Sequence, residues 1–108
     1  MALLYGQGGH IPDVQIGRFE WDDSKAAENL ARHGLSFPEA TAVFLDPSRI
    51  VAVDEAHSDV EPRYFCIGAL VDGSVATVRF TLRGERIRLI GAGRWRKGRR
   101  LYEEVHKT

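Results

Sequence analysis

Val75-Ala-Thr-Val-Arg-Phe-Thr-Leu-Arg-Gly-Glu-Arg-Ile-Arg-Leu-Ile-Gly-Ala92 alternates polar and apolar residues on both sides of a turn that contains glycine. Successive side chains of a β-strand point to opposite faces, so one face of the first half is apolar: Ala76, Val78, Phe80 and Leu82. The opposite face carries Thr77, Arg79 and Thr81. Arg83-Gly84-Glu85 therefore predicts a turn between two antiparallel strands, of which the second is Ile87–Ala92.

The segments before this stretch continue the strand pattern. Arg63–Leu70 leads into the turn sequence Asp72-Gly73, which predicts a hairpin with the strand Val75–Leu82. Arg49–Asp54 predicts a further strand, and an acidic loop over residues 55–61 follows it. The second half of the chain is therefore expected to form an antiparallel β-meander.

A short strand and a helix are predicted before the meander. Phe19–Trp21 can form the strand, and Asp22 or Asp23 suits the N-terminal cap of a helix that runs to about Arg32. Gly34 suits the left-handed residue that ends this helix.

Two more helices complete the prediction. Ser36-Phe-Pro-Glu39 has the pattern of a capping box, and Asp46-Pro47 ends the second helix. A C-terminal helix is predicted from about Lys97 to His106, with Leu101 and Val105 on its apolar stripe. The order of strand, two helices, meander and helix predicts an α+β fold.

Length and composition bound the class of protein. A chain of 108 residues, 44% hydrophobic and 28% charged, is expected to form one globular domain. Residues 1–18 are expected to be a flexible N-terminal arm and residues 19–108 the domain. The single cysteine, Cys66, excludes an internal disulfide. No apolar stretch reaches the roughly 20 residues of a membrane span and no secretory signal is recognised, so a cytoplasmic location is expected.

The charges are separated along the chain although they sum to zero. From Arg83 to Thr108 there are nine Lys or Arg and three Glu, a net charge of +6, so residues 1–82 carry −6. A basic segment that also contains Trp95 and Tyr102 is typical of a surface that binds RNA or DNA. A solvated helix face has the same composition, so charge alone leaves both interpretations open.

Arginines on neighbouring strands form a first candidate site. Arg79 lies in the middle of one predicted strand, Arg88 lies on the next, and Arg63 begins the strand on the other side. Antiparallel neighbours approach within about 5.5 Å at Cβ, so the three side chains could converge on one phosphate. The alternative is that they are ordinary surface arginines paired with acids such as Glu61.

The first helix offers a second candidate group at helical spacing, consisting of Lys25, Asn29, and Arg32 or His33. This group lies opposite Ala26 and Leu30, which are expected to be the buried stripe of the helix. The alternatives are a solvated surface and, for His33, an interaction with free carbonyls at the helix end.

Arg94 and Trp95, at the junction of the last strand and the last helix, form a third group. Cations and backbone amides can hold a phosphate there, and an indole can stack on a base. Alternatively, Trp95 packs the C-terminal helix against the sheet. The acidic loop alternates His57, Asp59 and Glu61, which are expected to be solvated, and no metal or other cofactor is predicted.

A series of short motifs runs over residues 19–104. The motifs are Phe19-Glu-Trp-Asp-Asp-Ser-Lys25, Asn29, Arg32-His-Gly-Leu-Ser-Phe37, Glu39-Ala40, Val43-Phe44, Asp46-Pro47, His57-Ser58, Glu61-Pro-Arg63, Ile67-Gly68, Thr81-x-Arg83, Ile87-Arg-Leu-Ile-Gly-Ala92 and Arg99-Arg-Leu-Tyr-Glu-Glu104. In this order they resemble the BrnT family of toxins. One position departs from the pattern. Many members have Ser-Ala-Arg where this chain has Gly91-Ala92-Gly93, and the next arginine here is Arg94.

The resemblance implies a RelE-like fold and the toxin half of a bacterial type II toxin–antitoxin pair, a ribonuclease that arrests growth. It also implies neutralisation by a BrnA-like antitoxin with a ribbon-helix-helix DNA-binding part, and contact with operator DNA only through that complex. A homodimer is a further assembly to test, and no membrane partner is expected.

Six residues fall where the family places its polar and basic motif residues: Lys25, His33, Glu61, Arg63, Arg79 and Arg94. We therefore expect metal-independent RNA cleavage by attack of the ribose 2′-hydroxyl, with Arg63 and Arg79 stabilising charge and Glu61 or His33 transferring protons. RNA contacts are expected from Lys25, Arg88, Arg94 and Trp95. The alternative is a non-catalytic module that binds nucleic acid or antitoxin in transcriptional autoregulation.

Overall fold

The computed structural model of the protein describes residues 3–5 and 18–107. In chain order the elements are the strands and helices β1 Leu3–Tyr5, β2 Phe19–Glu20, α1 Asp23–His33, α2 Phe37–Ala40, a 3₁₀ helix Thr41–Leu45, β3 Ile50–Val53, a 3₁₀ turn Glu55–His57, β4 Tyr64–Ala69, β5 Val75–Arg83, β6 Arg86–Gly93 and α3 Arg96–Val105. The predicted α+β class and order of elements are confirmed. No helix in the described ranges is long and apolar enough to cross a membrane.

One mixed sheet has the strand order β1-β3-β4-β5-β6-β2. Strands β3 to β6 form the predicted antiparallel meander, whereas β1 and β2 pair in parallel with β3 and β6 at the two edges. Strand β1 lies within the segment predicted to be a flexible arm, and it pairs Leu3 with Ile50. Residues 1, 2 and 6–17 of that segment lie outside the described residues.

Local capping signals place the helices as predicted. The carboxylate of Asp22 accepts a hydrogen bond from the Lys25 amide at 3.0 Å, and Gly34 ends α1 with φ of 67°. Ser36 and Glu39 form both halves of the capping box. The second helix is shorter than predicted, because regular α-helix gives way to 3₁₀ geometry at Thr41.

The sheet buries side chains on both faces, which differs from the prediction for β5. Its apolar face packs under α2 and the first 3₁₀ helix, where Val78 and Phe80 are fully buried. The opposite face carries the polar residues Thr77, Arg79 and Thr81 as predicted, yet Thr77 and Thr81 are only 5% and 1% exposed. Helix α3 covers Thr77, and the Thr81 hydroxyl donates to the Pro62 carbonyl at 2.6 Å.

A β-bulge in β6 keeps its apolar residues in phase with the core. Arg79 pairs with Gly91 and Phe80 pairs with Leu89, so Ile90 is an extra residue on β6. Leu89 and Ala92 would point to opposite faces of a regular strand, but the bulge places both in the core at 1% and 0% exposure.

Helix α3 is attached to the sheet by one close contact and one polar cluster. Gly98 lies directly against the Thr77 side chain, which leaves no room for a Cβ atom. Asp46 accepts hydrogen bonds from the Tyr102 hydroxyl at 2.6 Å and from the amides of Ala69 and Ser48, each at 2.8 Å. Burial and the bond to Asp46 raise the pKa of Tyr102 to about 12.

Cys66 is fully buried in β4. Burial raises the pKa of its thiol far above the ordinary value, so the sulfur is held in the neutral, unreactive form.

Substitution of Gly98 tests the close packing of α3. Gly98→Ala is expected to lower the free energy of unfolding by about 1–3 kcal/mol, because the new methyl group would overlap the Thr77 hydroxyl. Helix propensity acts in the opposite direction by about 1 kcal/mol. Urea denaturation measures the difference, and the double variant Thr77→Ala/Gly98→Ala should recover most of the loss. A more stable Gly98→Ala protein would contradict the observed packing.

The Asp46 cluster predicts a specific loss of stability in acid. Burial raises the pKa of Asp46, but the hydrogen bonds from Tyr102, Ala69 and Ser48 together lower it below the ordinary 3.8. Its stabilisation is therefore complete above pH 3.8 and is lost as the pH falls through the lower folded-state pKa.

Asp46→Asn is accordingly expected to reduce the free energy of unfolding by about 1–3 kcal/mol at neutral pH. The reduction should be smaller at about pH 3, where the wild-type carboxylate is itself partly protonated. Denaturation curves at both pH values measure this, with Asp59→Asn as the control for an exposed carboxylate. An equal loss at both values would show that the charge of Asp46 is irrelevant.

Candidate functional site

A cleft of about 210 Å³ lies between α1 and the β5–β6 part of the sheet. Its walls come from three separate segments of the chain, and the lining residues are Lys25, Glu28, Asn29, Arg32, His33, Arg79, Ile90, Gly91 and Trp95. The cleft therefore unites members of all three candidate groups from the sequence. It contains Lys25, Arg32 and His33 of the first helix, Arg79 of the central strand, and Trp95 of the last junction.

Asn29 holds α1 in place over this part of the sheet. Its side-chain amide donates to the carbonyls of Ala92 at 2.9 Å and Leu35 at 3.0 Å, and its carbonyl oxygen accepts from the Ala92 amide at 3.1 Å. Strand β2 ends at Glu20, and beyond this point no strand among the described residues pairs with the outer edge of β6, where Asn29 hydrogen-bonds the backbone instead. Asn29 is thus a buried structural residue, 8% exposed, and not the surface group that the sequence suggested.

The buried face predicted for α1 is wrong at Leu30. Leu30 was expected to be buried with Ala26, but Leu30 is 49% exposed and only Ala26 packs against the core. The hydrogen bonds of Asn29 rotate the helix so that Lys25, Arg32 and His33 face the cleft. A polar residue therefore sets the orientation that an apolar stripe was expected to set.

Arg79 lines the cleft from the middle of β5. Arg79 pairs directly with Gly91, which lines the same cleft. None of the ion pairs between described residues includes Arg79. A half-buried guanidinium without a carboxylate partner is suited to binding an anionic ligand.

Trp95 forms the wall of the cleft that faces His33. The two rings meet edge to face, with centroids 5.3 Å apart and planes at 90°. The indole lies over Gly93, where an added Cβ would come within 2.5 to 2.9 Å of its ring atoms. A side chain at position 93 and the indole of Trp95 therefore cannot occupy their present places together, which explains in physical terms why Gly93 accompanies Trp95 here.

The charges of the lining residues favour an anion. Lys25, Arg32 and Arg79 are cationic and Glu28 is anionic, so the cleft carries +2 with His33 neutral. Cations that face one another across a concave surface attract phosphate groups more strongly than the same charges spread over a convex one. The arrangement can hold a phosphodiester, place an imidazole beside it and stack a base on the indole.

The predicted convergence of Arg63, Arg79 and Arg88 on one phosphate is not what the structure shows. Arg63 and Arg88 lie on either side of β5, about 10 Å apart across two strand spacings, and neither lines the cleft. Arg88 donates to Glu20 at 2.9 Å, and Arg63 lies 3.8 Å from Glu61. Each of the two arginines therefore has a carboxylate beside it, as the alternative interpretation foresaw, although Glu61 is shared with Arg83 and Glu20 with Arg86.

Glu61 and Arg94 also lie outside the cleft. Glu61 pairs with Arg83 at 3.3 Å as well as with Arg63, so its carboxylate is engaged at the far end of the β5–β6 hairpin. Arg94 is exposed and donates to the Ser74 hydroxyl at 3.1 Å near Asp72. The sequence alone could not separate these residues from Arg79, because the separation depends on the strand register.

Sequence reasoning passed over two features that the structure reveals. Glu28 lines the cleft, although no spacing rule distinguishes it from other helix-surface acids. His57 was expected to be solvated and its side chain is 56% exposed, but its Nδ1 also lies 3.0 and 3.2 Å from the carboxylate oxygens of Asp54, which is only 4% exposed. The spacing Asp-x-x-His at the end of a strand is the signal that could have indicated this pair. The pair lies outside the cleft.

Possible metal ligands do not cluster in the described part of the chain. Within residues 18–107 no three side chains of His, Cys, Asp or Glu lie close enough together to hold a metal ion.

Comparison with known proteins places this geometry in a family. Residues 21–98 match the model of the family described as "Ribonuclease toxin, BrnT, of type II toxin-antitoxin system". Among solved structures, the crystal structure of the Brucella abortus ribonuclease toxin BrnT is similar, with a TM-score of 0.52 and 27% sequence identity. The alignment covers 68% of this chain and 88% of that chain. No curated protein matches the sequence.

The packing of Trp95 over Gly93 predicts different effects for two neighbouring glycines. Gly93→Ala is expected to displace the indole from the cleft wall, because the methyl group would overlap it, and to cost about 1–3 kcal/mol of stability. Gly91→Ala is the matched control, since its nearest neighbour, the Asn29 oxygen, is 3.8 Å away. The fluorescence of Trp95, measured in a Trp21→Phe background, should shift for Gly93→Ala alone. Equal shifts for both variants would be inconsistent with the described wall.

Proposed function

This chain belongs to the BrnT family of ribonuclease toxins of type II toxin–antitoxin systems, and from that premise we propose that it cleaves RNA, without a metal ion, in the cleft between α1 and β6. The observation that carries the proposal is the meeting of Lys25, Arg32, His33, Arg79 and Trp95 in one concave surface. These residues come from three segments of the chain, and they supply the cationic, proton-transferring and stacking groups that the reaction requires.

The proposed reaction is attack of the ribose 2′-oxygen on the adjacent phosphorus. The bond from the 2′-oxygen to phosphorus forms, the bond to the 5′-oxygen breaks, and the products are a 2′,3′-cyclic phosphate and a 5′-hydroxyl. Negative charge grows on the phosphoryl oxygens in the transition state, so a fixed cation beside them lowers the barrier. Arg79 is the proposed cation, because it lies at the base of the cleft and has no described carboxylate partner.

Two lining side chains are suited to the proton transfers. His33 is held by its edge-to-face contact with Trp95 and can give a proton to the departing 5′-oxygen. Glu28 is the carboxylate on the wall of the cleft and can take the proton of the 2′-hydroxyl. Glu61, the other group considered from the sequence, is paired with Arg83 outside the cleft, so we assign it no proton transfer.

The remaining basic residues are assigned to RNA binding. Lys25 and Arg32 face the cleft and can contact the phosphates on either side of the cleaved bond. Trp95 can stack on a base. Arg63, Arg88 and Arg94 lie outside the cleft, and the proposal gives them contacts with the RNA beyond the cleaved linkage.

The partners proposed for this chain follow from its family. A BrnA-like antitoxin with a ribbon-helix-helix part would neutralise the toxin, and the complex, rather than the toxin alone, would contact operator DNA. An acidic antitoxin segment over the cationic cleft would exclude RNA by competing for the same charges. The proposal places both proteins in the cytoplasm and leaves a homodimer as a separate point for measurement.

A non-catalytic function is supported by one observation. The indole of Trp95 occupies the space above Gly93, so the side chain that many members carry at this position has no room here. If catalysis in those members needs that group, this chain would keep the cleft only for binding antitoxin or nucleic acid. The experiment on Arg79 separates the two functions.

Arg79→Ala is expected to reduce RNA cleavage by about 100- to 1000-fold, because oxyanion-type donors typically contribute that much to the rate. The assay uses purified protein, single-stranded RNA and EDTA, and it follows the formation of 2′,3′-cyclic phosphate ends. The matched control is Arg100→Ala, which removes the same charge from the exposed face of α3.

Full activity of Arg79→Ala would remove Arg79 from the mechanism. Loss of wild-type cleavage in EDTA would overturn the metal-independent reaction. RNA that stays intact with wild-type protein, while antitoxin still binds, would favour the non-catalytic function.

A further inference from the structure

A second depression, an apolar groove of about 270 Å³, lies on the other side of Trp95 from the cleft. It runs between α3 and strands β4 and β5. The side chains that form its walls and floor are Phe65, Ile67, Trp95, Lys97 and Leu101. Phe65 and Leu101 are half-buried, so aromatic and aliphatic surface is accessible to a ligand here.

The strand register connects the groove to the cleft. Phe65 pairs with Arg79 on β5, and Arg79 pairs with Gly91 on β6. The three residues therefore form one row across the sheet, with the groove at Phe65 and the cleft at Gly91. Directly opposed residues have Cβ atoms about 5 Å apart, so the guanidinium stem of Arg79 begins beside the aromatic ring of Phe65. Trp95 lines both depressions and separates them.

The chemistry of this row matches that of a nucleotide. A nucleotide presents a flat, weakly polar ring and, within a few ångströms, an anionic phosphate. The groove offers aromatic and aliphatic walls with the ammonium group of Lys97 at its edge, and Arg79 is the adjacent cation. Among the described residues, those that line the groove include no carboxylate, so nothing in its walls repels a polyanion.

We infer that the groove is a nucleobase subsite, which takes the base next to the phosphate held by Arg79. The ligand is single-stranded RNA, whose base enters between Trp95 and Phe65 while its backbone follows the row from Phe65 to Gly91. This inference rests on the proposed function, since it assumes that RNA occupies the cleft. It adds a base-binding surface to the reaction and names Phe65 and Leu101 as residues that position the RNA.

Stacking, rather than hydrogen bonding, would provide most of the affinity. The side-chain polar groups at the groove are Lys97, the indole N–H of Trp95 and the Thr77 hydroxyl, of which the last is buried under Gly98 and has no accessible surface for a ligand. Stacking on aromatic rings tolerates any base, so the subsite would hold the RNA in position without reading its sequence strictly.

The test uses a fluorescently labelled tetramer of 2′-O-methyl adenosine, which binds as RNA does but has no free 2′-hydroxyl to react. Four further tetramers each carry one abasic position. Dissociation constants are measured for wild type, Phe65→Ala and Leu101→Ala, and circular dichroism confirms that each variant is folded. Leu45→Ala is the control, because Leu45 is an apolar residue that is 60% exposed and lies outside the groove.

One abasic position is expected to weaken binding to the wild type by about 5- to 100-fold, the usual contribution of stacking one base on an aromatic ring. Phe65→Ala should weaken binding of the intact tetramer by a similar factor. The tetramer with that abasic position should then bind Phe65→Ala no more weakly than the intact tetramer does. Leu101→Ala should show the same pattern to a smaller extent. If Phe65→Ala proves unfolded, Leu101→Ala and the more conservative Phe65→Leu provide the same comparison.

Two results would overturn the subsite alone. The first is an abasic position that raises the dissociation constant by the same factor in the wild type and in both groove variants, while Arg79→Ala still abolishes binding. The second is a pair of groove variants that bind every tetramer normally but lose the antitoxin, since the groove would then be a protein-binding surface. A wild-type protein that does not bind the tetramers, or binds them independently of Arg79, would overturn the proposed function together with the subsite.

Discussion

The side-chain amide of Asn29 supplies, at the outer edge of β6, the hydrogen bonds that a neighbouring strand would otherwise supply. Helix α1 buries little apolar surface, because Ala26 is half-buried and Leu30 is exposed. Its position therefore depends on the bonds from Asn29 to Ala92 and Leu35, which form in a buried environment where unpaired polar groups are costly. Every cleft residue on α1 takes its place relative to Arg79 from this one attachment.

Glycines shape the surface around that attachment by leaving space for other groups. The missing side chain of Gly93 leaves room for the Trp95 indole. Gly98 does the same for Thr77 beneath α3. The space above Gly93 is therefore filled by a tryptophan that follows the end of β6.

Local signals predicted most of the fold. The Asp22 cap, the Gly34 end of α1, the Ser36 capping box and the alternation of β5 each act within a few residues, so the sequence shows them directly. The site was predicted only in part, because its members come together through long-range pairing. Arg79 differs from Arg63 and Arg88 in having glycine rather than a carboxylate beside it, and only the register shows this. The role of Asn29 depends on a backbone 63 residues further along the chain, and the bulge at Ile90 reverses the side-chain phase that simple alternation predicts.

The pairing of β2 with β6 determines when the sheet can fold during synthesis of the chain. Phe19 and Glu20 find their partners at Ile87 and Arg88, and the wall residue Trp95 is later still. During synthesis β2 can pair only after β6 has been made, so the sheet closes when nearly all of the chain is present, since contacts of high sequence separation form late. The cleft, which needs Trp95 as one of its walls, therefore takes shape only when translation of the chain is almost finished.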